Sequence, residues 1–589
     1  MRFVLAILAF LVSLACLVLG IGQRTFLQPP ATVSSSVSTT GSQAFTLVDA
    51  SVLRQHPGTT DVTVSGSSRV FVSYGRTADV TGWLAGLSYQ HISVGQDGKL
   101  QDHEVTPKTA DDSGNLDPRG SDLWLQQFTG TSSVTTNLLL PKGMSVLLAS
   151  DGTKPAPDSL SLSWHQDRAT PLAGPLFVAS GFFALLGVFF YILALSHLRR
   201  SRGPRRGNPS RFGRRRPSSY SGVRRGHQPA GRRGRARPFA VILPTMLLGA
   251  VALTGCSSDY WPQFGASGGA TSSATATPTA TADTADAAPP AVTASQFATI
   301  LDHVASVAKK ADATHDKALV KTRFAGPALT ERLAAYTIAS KDKKAEAPEM
   351  IRDHQVAYLL PQSTDTWPRS VFAVVQDSAD KTVPALGLVL TQQTARSNYL
   401  VNYSIQLQAS AQMPHAPAAY VGSQLLAANT NVLLLPPDQT AAAYGTVLAR
   451  GNAAPDASLF QAQGDEVRTK LGKAYKTKTA KNLDKALSIA FSSKAGTGEV
   501  VPMTTNESGS LVAASLDEIE KVTVKGSADG ASVGAGKAVA ALSGVASSES
   551  GISSVYGYQL LFYVPSAGSN QKIQVLGATR SLNDASETK

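Results

Sequence analysis

The hydrophobic positions of this chain fall into two patterns. There are long unbroken apolar runs, and there are short runs that alternate or recur at helical spacing. Two of the unbroken runs cover residues 3–21 and 171–198. Each is close to the ~20 residues that an α-helix needs to cross the hydrocarbon core of a bilayer. We therefore predict an uncleaved transmembrane signal anchor over residues 1–24 and a transmembrane helix over residues 171–198.

A third apolar segment covers residues 239–255 and contains Pro244. It follows the basic pair Arg232-Arg233 and ends in Leu253-Thr254-Gly255-Cys256. A basic stretch, a short apolar stretch and a small residue before a cysteine resemble a bacterial lipoprotein signal with its lipobox. In such a signal the thiol, here that of Cys256, accepts a lipid. These signals normally begin a protein, so a short third membrane helix with an inert cysteine stays open as the alternative.

The net charge of the chain is concentrated in one segment. The whole sequence carries a formal charge of +13, and fifteen arginines with no Lys, Asp or Glu lie between positions 199 and 237, so the remainder carries −2. Arginine-rich short loops stay in the cytoplasm. We therefore predict a cytoplasmic loop over residues 199–238, with residues 25–170 and everything after Cys256 facing outward. The arginines taken as topology signals are Arg199, Arg200, Arg202, Arg205, Arg206, Arg214, Arg215, Arg216, Arg232 and Arg233.

Short alternating runs predict the fold of residues 25–170. Eight β-type runs between residues 45 and 164 are separated by turn signals, and residues 79–87 could form one short helix. An all-β, sandwich-like domain between the two transmembrane helices is the expected result.

The C-terminal half begins with a region of different composition. Residues 256–292 are rich in Ser, Thr, Ala, Gly and Pro and are predicted to be a disordered linker. After them, Thr293 and Gln296 fit a capping box before apolar residues at helical spacing, and a second helix is predicted to open at Gly326-Pro327. Strands are then expected at 371–376, 386–392 and 400–408.

A second round of elements is expected after residue 450. Helices are predicted around 467–475 and 483–491, followed by strands at 522–525, 556–564 and 572–582. The repeated order of helices and then strands predicts two α+β units with curled sheets, over residues 293–450 and 451–589. The element order is similar to that of cystatin-like or NTF2-like folds in tandem.

No catalytic constellation is evident in the sequence. The ten histidines form no His-x-x-x-His pair, and there is no Gly-x-Ser-x-Gly elbow. With two cysteines in the chain, a zinc site of the Cys type is excluded. The Asp302-His303 pair lies on a predicted helix where neighbouring side chains point apart, so no dyad is implied. We expect no cofactor and no metal, and no nucleic-acid binding.

Four stretches carry a resemblance to a known group of proteins: residues 20–25 (GIGQRT), 72–80 (VSYGRTADV), 198–204 (LRRSRGP) and 324–329 (FAGPAL). With them, the layout resembles an uncharacterised family of actinobacterial membrane proteins and lipoproteins. The resemblance implies a location and a fold, and it assigns no activity.

These observations lead to a functional hypothesis. We expect a non-enzymatic, membrane-anchored protein of the cell envelope that acts as a scaffold or binding module outside the cytoplasmic membrane. Membrane lipids are expected partners, together with another envelope protein or a cell-wall component. The alternative is an extracytoplasmic enzyme or ligand carrier that acts on cell-wall or lipid substrates through a C-terminal pocket.

Overall fold

A computed structural model describes residues 1–200 and 288–588, except for residues 28–29, 40, 112–115, 166–169, 353–354, 378–382 and 527–529. The described residues form two compact units. One contains two long helices, and the other contains residues 34–163 together with the described residues from 288 onward.

The first unit is a pair of apolar helices, α1 (Arg2–Arg24) and α4 (Ala173–Arg200). In the described part of the chain, these two are the helices long and apolar enough to cross a membrane. Small residues let them approach closely: Gly20 lies against the ring of Phe177, and Gly187 lies against that of Phe10. Both runs predicted to be transmembrane are therefore helical.

Residues 32–165 are rich in strands, as predicted. A six-stranded sheet has the order β6-β5-β2-β9-β4-β7, and a four-stranded sheet has the order β1-β10-β3-β8. Two short helices accompany them, α2 (Ala50–Leu53) and α3 (Thr77–Trp83), and α3 overlaps the helix predicted at 79–87. The strands are β1 (Thr32–Ser38), β2 (Phe45–Asp49), β3 (Thr60–Ser65), β4 (Val70–Arg76), β5 (Tyr89–Val94), β6 (Leu100–Val105), β7 (Gln126–Gly130), β8 (Ser133–Leu138), β9 (Met144–Ala149) and β10 (Ser159–His165).

The C-terminal region mixes helices and antiparallel sheets. Its helices are α5 (Ala294–Thr314), α6 (Lys317–Val320), α7 (Gly326–Lys341), α8 (Pro437–Arg450), α9 (Glu466–Leu471), α10 (Lys473–Asn482) and α11 (Lys537–Ser543). Its strands are β11 (Val356–Pro361), β12 (Arg369–Val375), β13 (Leu386–Gln392), β14 (Leu400–Gln406), β15 (Leu487–Ala495), β16 (Val501–Thr504), β17 (Ser510–Val524), β18 (Val533–Gly534), β19 (Ser547–Ser548), β20 (Gly551–Val564) and β21 (Gln574–Glu587). The larger sheets run β11-β12-β13-β14 and β15-β17-β20-β21, and β16 pairs with β17.

Three apolar cores are seen among the described residues of the C-terminal region. In the first, α5, α6 and α7 cover one face of the sheet that contains β12 and β13. The opposite face of that sheet packs against one face of the second sheet, where residues such as Phe372 and Tyr403 meet Leu511 and Leu561. Helix α8 covers the remaining face of the second sheet through Tyr444 and its neighbours. The layers therefore follow the order helices, sheet, sheet, helix.

Two predicted boundaries differ from this architecture. Helix α8 belongs to the core of the second sheet, so the second set of elements begins before residue 450. The helix predicted at 483–491 is wrong, because residues 487–495 pair with β17 as a strand. Leu487 and Phe491 have helical spacing, but with Ile489 they also alternate at the spacing of a strand, and the available sheet edge decides between the two.

Candidate functional site: the contact between the N-terminal and C-terminal regions

The N-terminal β-rich region and the C-terminal region, which belong to the same compact unit, meet in a contact built from buried polar side chains. It begins at the first turn of α5. Thr293 and Gln296 form the predicted capping box, in which Gln296 Oε1 accepts from the Thr293 amide. The Nε2 atom of the same side chain donates to the carbonyls of Asp122 (2.7 Å) and Leu123 (3.0 Å). One glutamine thus caps its own helix and binds the other region.

A buried carboxylate, that of Asp122, lies at the centre of this part of the contact. Its Oδ2 accepts from Arg323 Nη1 at 2.5 Å and from the Tyr399 amide at 2.9 Å, and its own amide donates to Asn398 Oδ1 at 3.1 Å. His303 Nδ1 lies 3.7 Å from Oδ1. Burial by itself raises the pKa of this carboxyl, but the nearby His303 and Arg323 and the Tyr399 amide outweigh it, so the pKa is lowered. The N-terminal region therefore places one negative charge among C-terminal donors.

A second buried carboxylate, that of Asp79 on α3, pairs with one arginine from each region. It pairs with Arg76 Nε at 2.7 Å within its own region and with Arg369 Nη2 at 2.8 Å across the contact. The guanidinium of Arg76 continues across, donating to the carbonyls of Pro290 (2.5 Å) and Ala291 (3.0 Å). These two residues lie within the predicted linker 256–292. That prediction was wrong for its last residues, because residues 288–292 pack against the folded regions.

Aromatic and aliphatic side chains complete the contact. Ala395 belongs to the same apolar cluster as Trp83 and Trp124 of the N-terminal region, and Trp367 packs against that cluster. The Trp367 indole lies so close to α3 that a Cβ on Gly82 would come within 2.6 Å of its Cη2 atom. The absence of a side chain at Gly82 therefore allows the indole to approach the helix.

Arg396 binds the end of α3, the loop that follows it and the loop after β6. Its Nε donates to the Trp83 carbonyl and its Nη1 to the Asp111 carbonyl, each at 3.0 Å, and its Nη2 donates to the Ala85 carbonyl. The guanidinium fork suits several acceptors at once. These three hydrogen bonds recognise the path of the main chain, and the guanidinium carbon also lies 6.0 Å from the centre of the Trp83 ring.

A separate groove lies within the C-terminal region, beside the packed sheets. It has a volume of about 720 Å³ and is lined mainly by apolar residues, among them Tyr358, Val374 and Met413. Arg580 and Lys470 are charged residues in the lining. Arg580 Nη2 already binds Glu520 at 2.6 Å, and Lys470 Nζ binds Glu466 at 2.7 Å. The lining is thus mixed, with both of these cations paired.

Among the residues that the sequence suggested as sites, only two are described by the structure, and neither belongs to this contact. Arg199 and Arg200 are the last residues of α4. The remaining arginines of the loop, the Leu253-Thr254-Gly255-Cys256 motif and the third apolar segment lie outside the described residues. Within the described ranges, no group of three or more His, Cys, Asp or Glu side chains could hold a metal ion.

Comparison with known sequences identifies the C-terminal region. Residues 288–587 match the family described as a domain of unknown function (DUF8094), and the chain belongs to this family. No curated protein and no solved structure matches the chain.

The sequence alone did not indicate that these residues form a contact, although two of the stretches that carry the family resemblance contain or adjoin some of them. Arg76 and Asp79 lie in the stretch 72–80, and Arg323 immediately precedes the stretch 324–329, two segments that carried the family resemblance. His303 follows Asp302 on α5, and its ring lies beside Asp122 from the distant N-terminal region.

Proposed function

We propose that this protein is a non-enzymatic, membrane-anchored component of the cell envelope that acts as a scaffold or binding module outside the cytoplasmic membrane. The observation that carries the proposal is the contact described above, in which Asp79 and Asp122 pair with Arg369 and Arg323. Burying charges is costly unless they are paired, so the arrangement favours one fixed geometry of the two regions. A fixed module on helical anchors is what a scaffold requires.

The contact also supports the predicted topology. If α1 and α4 both cross the membrane, the residues between them lie on one side. The C-terminal region packs on those residues and must share that side. The chain must then return across the membrane between residues 201 and 287, where 239–255 is the long apolar stretch. Cysteine labelling from outside the cell, at Ser67→Cys and Ser569→Cys, should modify both positions. Labelling of one position alone would refute the shared side.

The lipid anchor at Cys256 remains part of the proposal, with a third membrane helix as its alternative. Cleavage before Cys256 would release a C-terminal fragment of about 35 kDa, in proportion to 334 of the 589 residues of a 61.5 kDa chain. Cys256→Ala should abolish this fragment and its lipid. A full-length band in both proteins would favour the membrane helix.

We take the two N-terminal sheets as a sandwich-like domain, and the two C-terminal sets of helices and strands as repeated α+β units that resemble cystatin-like or NTF2-like folds. The separate cores on the outer faces of the two C-terminal sheets support two units. The proposed membership of an actinobacterial membrane protein and lipoprotein group rests on the four sequence stretches given above.

The absence of enzymatic activity can be tested on the full chain in detergent. We expect no turnover with cell-wall glycan, peptide or lipid ester substrates. Reproducible turnover that a single acidic or histidine substitution abolishes would refute the scaffold role.

The groove of about 720 Å³ favours one second candidate, a carrier of an amphiphilic ligand. Its apolar lining would hold an acyl chain, and polar groups at its rim would face a head group. Organic extraction of the purified full chain, followed by mass spectrometry, should then recover a stoichiometric lipid. Ala411→Trp, which places a large side chain in the groove, should lose this lipid. Ala567→Trp, at a position that does not line the groove, should retain it. Equal recovery from both variants would refute the carrier role.

A further inference from the structure

We propose that the contact between residues 34–163 and 288–588 is a self-sufficient docking interface, which holds the two regions together when the chain between them is cut. The proposal deepens the scaffold role and depends on it only for the shared side of the membrane. The partner is specified: each C-terminal region docks on the N-terminal region of its own chain.

The hydrogen-bonding pattern of the sheets supports this independence. In the part of the chain that the structure describes, every sheet consists of strands from one region alone. The isolated bridges also stay within the C-terminal region. Cutting the chain between residues 201 and 287 therefore interrupts no sheet, and each region keeps its own ladder of hydrogen bonds.

The composition of the contact is that of an interface between two proteins. Tryptophan and arginine are enriched where protein surfaces bind each other tightly, and the contact uses Trp83, Trp124, Trp367, Arg369 and Arg396. Several of these residues combine apolar area with hydrogen bonds, which gives both affinity and orientation.

The charges of the contact are complementary. The N-terminal region contributes the carboxylates of Asp79 and Asp122, and the C-terminal region contributes the guanidinium groups of Arg369 and Arg323. Opposite charges on the two surfaces favour this pairing over other partners. Because both carboxylates are buried, salt screens them much less than surface charges. A docked pair should therefore survive a wash at high salt.

The consequence concerns the lipobox. Processing at Cys256 would divide the chain between the two regions, and the interface would keep the resulting lipoprotein bound to the two-helix membrane protein. The mature form would then be a noncovalent pair made from one gene product.

The test uses the full chain with a specific protease sequence inserted between residues 270 and 281 and an affinity tag at the C-terminus. The detergent-solubilised protein is bound to resin, cut, and washed with 0.5 M salt. We expect the N-terminal fragment to stay on the resin with a half-life of hours. Complete release of the wild-type fragment within minutes of cutting would overturn the proposal.

Two variants test the interface itself. Gly82→Ala would place a Cβ against Trp367, although alanine is the better helix former, so faster release points to the contact and not to a weakened helix. Gly534→Ala, where a Cβ meets no atom within 4 Å, is the matched control. We expect release at least ten times faster for Gly82→Ala and unchanged for Gly534→Ala. Equal release rates would contradict the geometry.

Arg396→Ala provides a second variant, which removes the three hydrogen bonds to main-chain carbonyls. It too should accelerate release at least tenfold, and an unchanged rate would count against the interface.

Two differently tagged versions of the protein, expressed together before cutting, test the choice of partner. Recovery of an N-terminal fragment on the other version's tag would show exchange between copies and overturn docking within one chain. Separation of the fragments would leave the turnover and topology tests of the proposed function intact.

Discussion

The carboxyl group of Glu331 provides a sharp test of the packing between α7 and the second C-terminal sheet. Its Oε2 accepts one hydrogen bond, from Gln559 Nε2 at 2.5 Å. The amide of Gln559 is held in place because its own oxygen accepts from the Ser404 amide at 2.8 Å. Burial is the main reason that the pKa of Glu331 rises from 4.5 to about 7, and the positive charge of Arg332 only partly opposes it. Between pH 4.5 and about 7, Glu331 therefore keeps a proton in the folded protein that it loses in the unfolded chain.

The sign of the pH dependence follows from this difference. Between pH 4.5 and about 7 the folded state binds more protons than the unfolded state, so the free energy of unfolding falls as pH rises and levels off above about 7. At about 1.4 kcal/mol for each tenfold change in proton affinity, the full effect is about 3 kcal/mol. Water at the partly exposed edge of the side chain weakens it, and we expect about 1–2 kcal/mol.

Glu331→Gln should remove this effect, because glutamine keeps an oxygen for the Gln559 donor and carries no charge to bury. The thermal midpoint of the full chain in detergent is measured for both proteins between pH 5 and pH 8.5. We expect the variant to gain several degrees over the wild type at pH 8, and less at pH 5. The control is Glu346→Gln, whose side chain is exposed. If the Glu331→Gln difference has the same size at both pH values, Glu331 does not titrate as described.

Two further predictions concern the helix pair and a buried ion pair. Gly187→Leu should lower the thermal midpoint of the detergent-solubilised protein because a Cβ there lies 3.0 Å from the ring of Phe10, whereas Gly181→Leu, with open space around its Cβ, should leave the midpoint nearly unchanged. Equal midpoints would refute the packing of α1 on α4. Lys476→Met should lower the free energy of unfolding by about 3 kcal/mol because it leaves the buried carboxylate of Glu518 without its closest partner. The double variant Lys476→Met/Glu518→Leu should recover part of that loss in urea denaturation, and no recovery would refute the pairing.

Local patterns in the sequence predicted the elements that local forces determine. The capping box at Thr293 and Gln296 starts α5 as expected, and Gly326-Pro327 opens α7, because both signals act within one helical turn. The helix predicted at 483–491 failed because its apolar residues fit two periods, and a distant strand decided between them.

The candidate site could not be predicted in the same way. Asp122 and Arg323 are about two hundred positions apart and belong to different regions. The residues next to each of them in the sequence do not indicate which partner it has. The two side chains are buried only because the two regions pack together, and a charged residue indicates a paired partner only once its burial is known. For the same reason a local motif such as the proposed lipobox at Cys256 can be predicted from the sequence, and a contact between distant segments cannot.

The hydrogen bonds of Arg396 have a consequence for how the protein can change in evolution. They end on the carbonyls of Trp83, Ala85 and Asp111, and a carbonyl is present whatever side chain the residue carries. Substitutions at Ala85 and Asp111 that preserve the backbone path should therefore be tolerated, while replacement of the arginine should not. Relatives should show variable residues at positions 85 and 111 opposite an invariant arginine at position 396, whereas the side chain of Trp83 is also constrained by the apolar cluster.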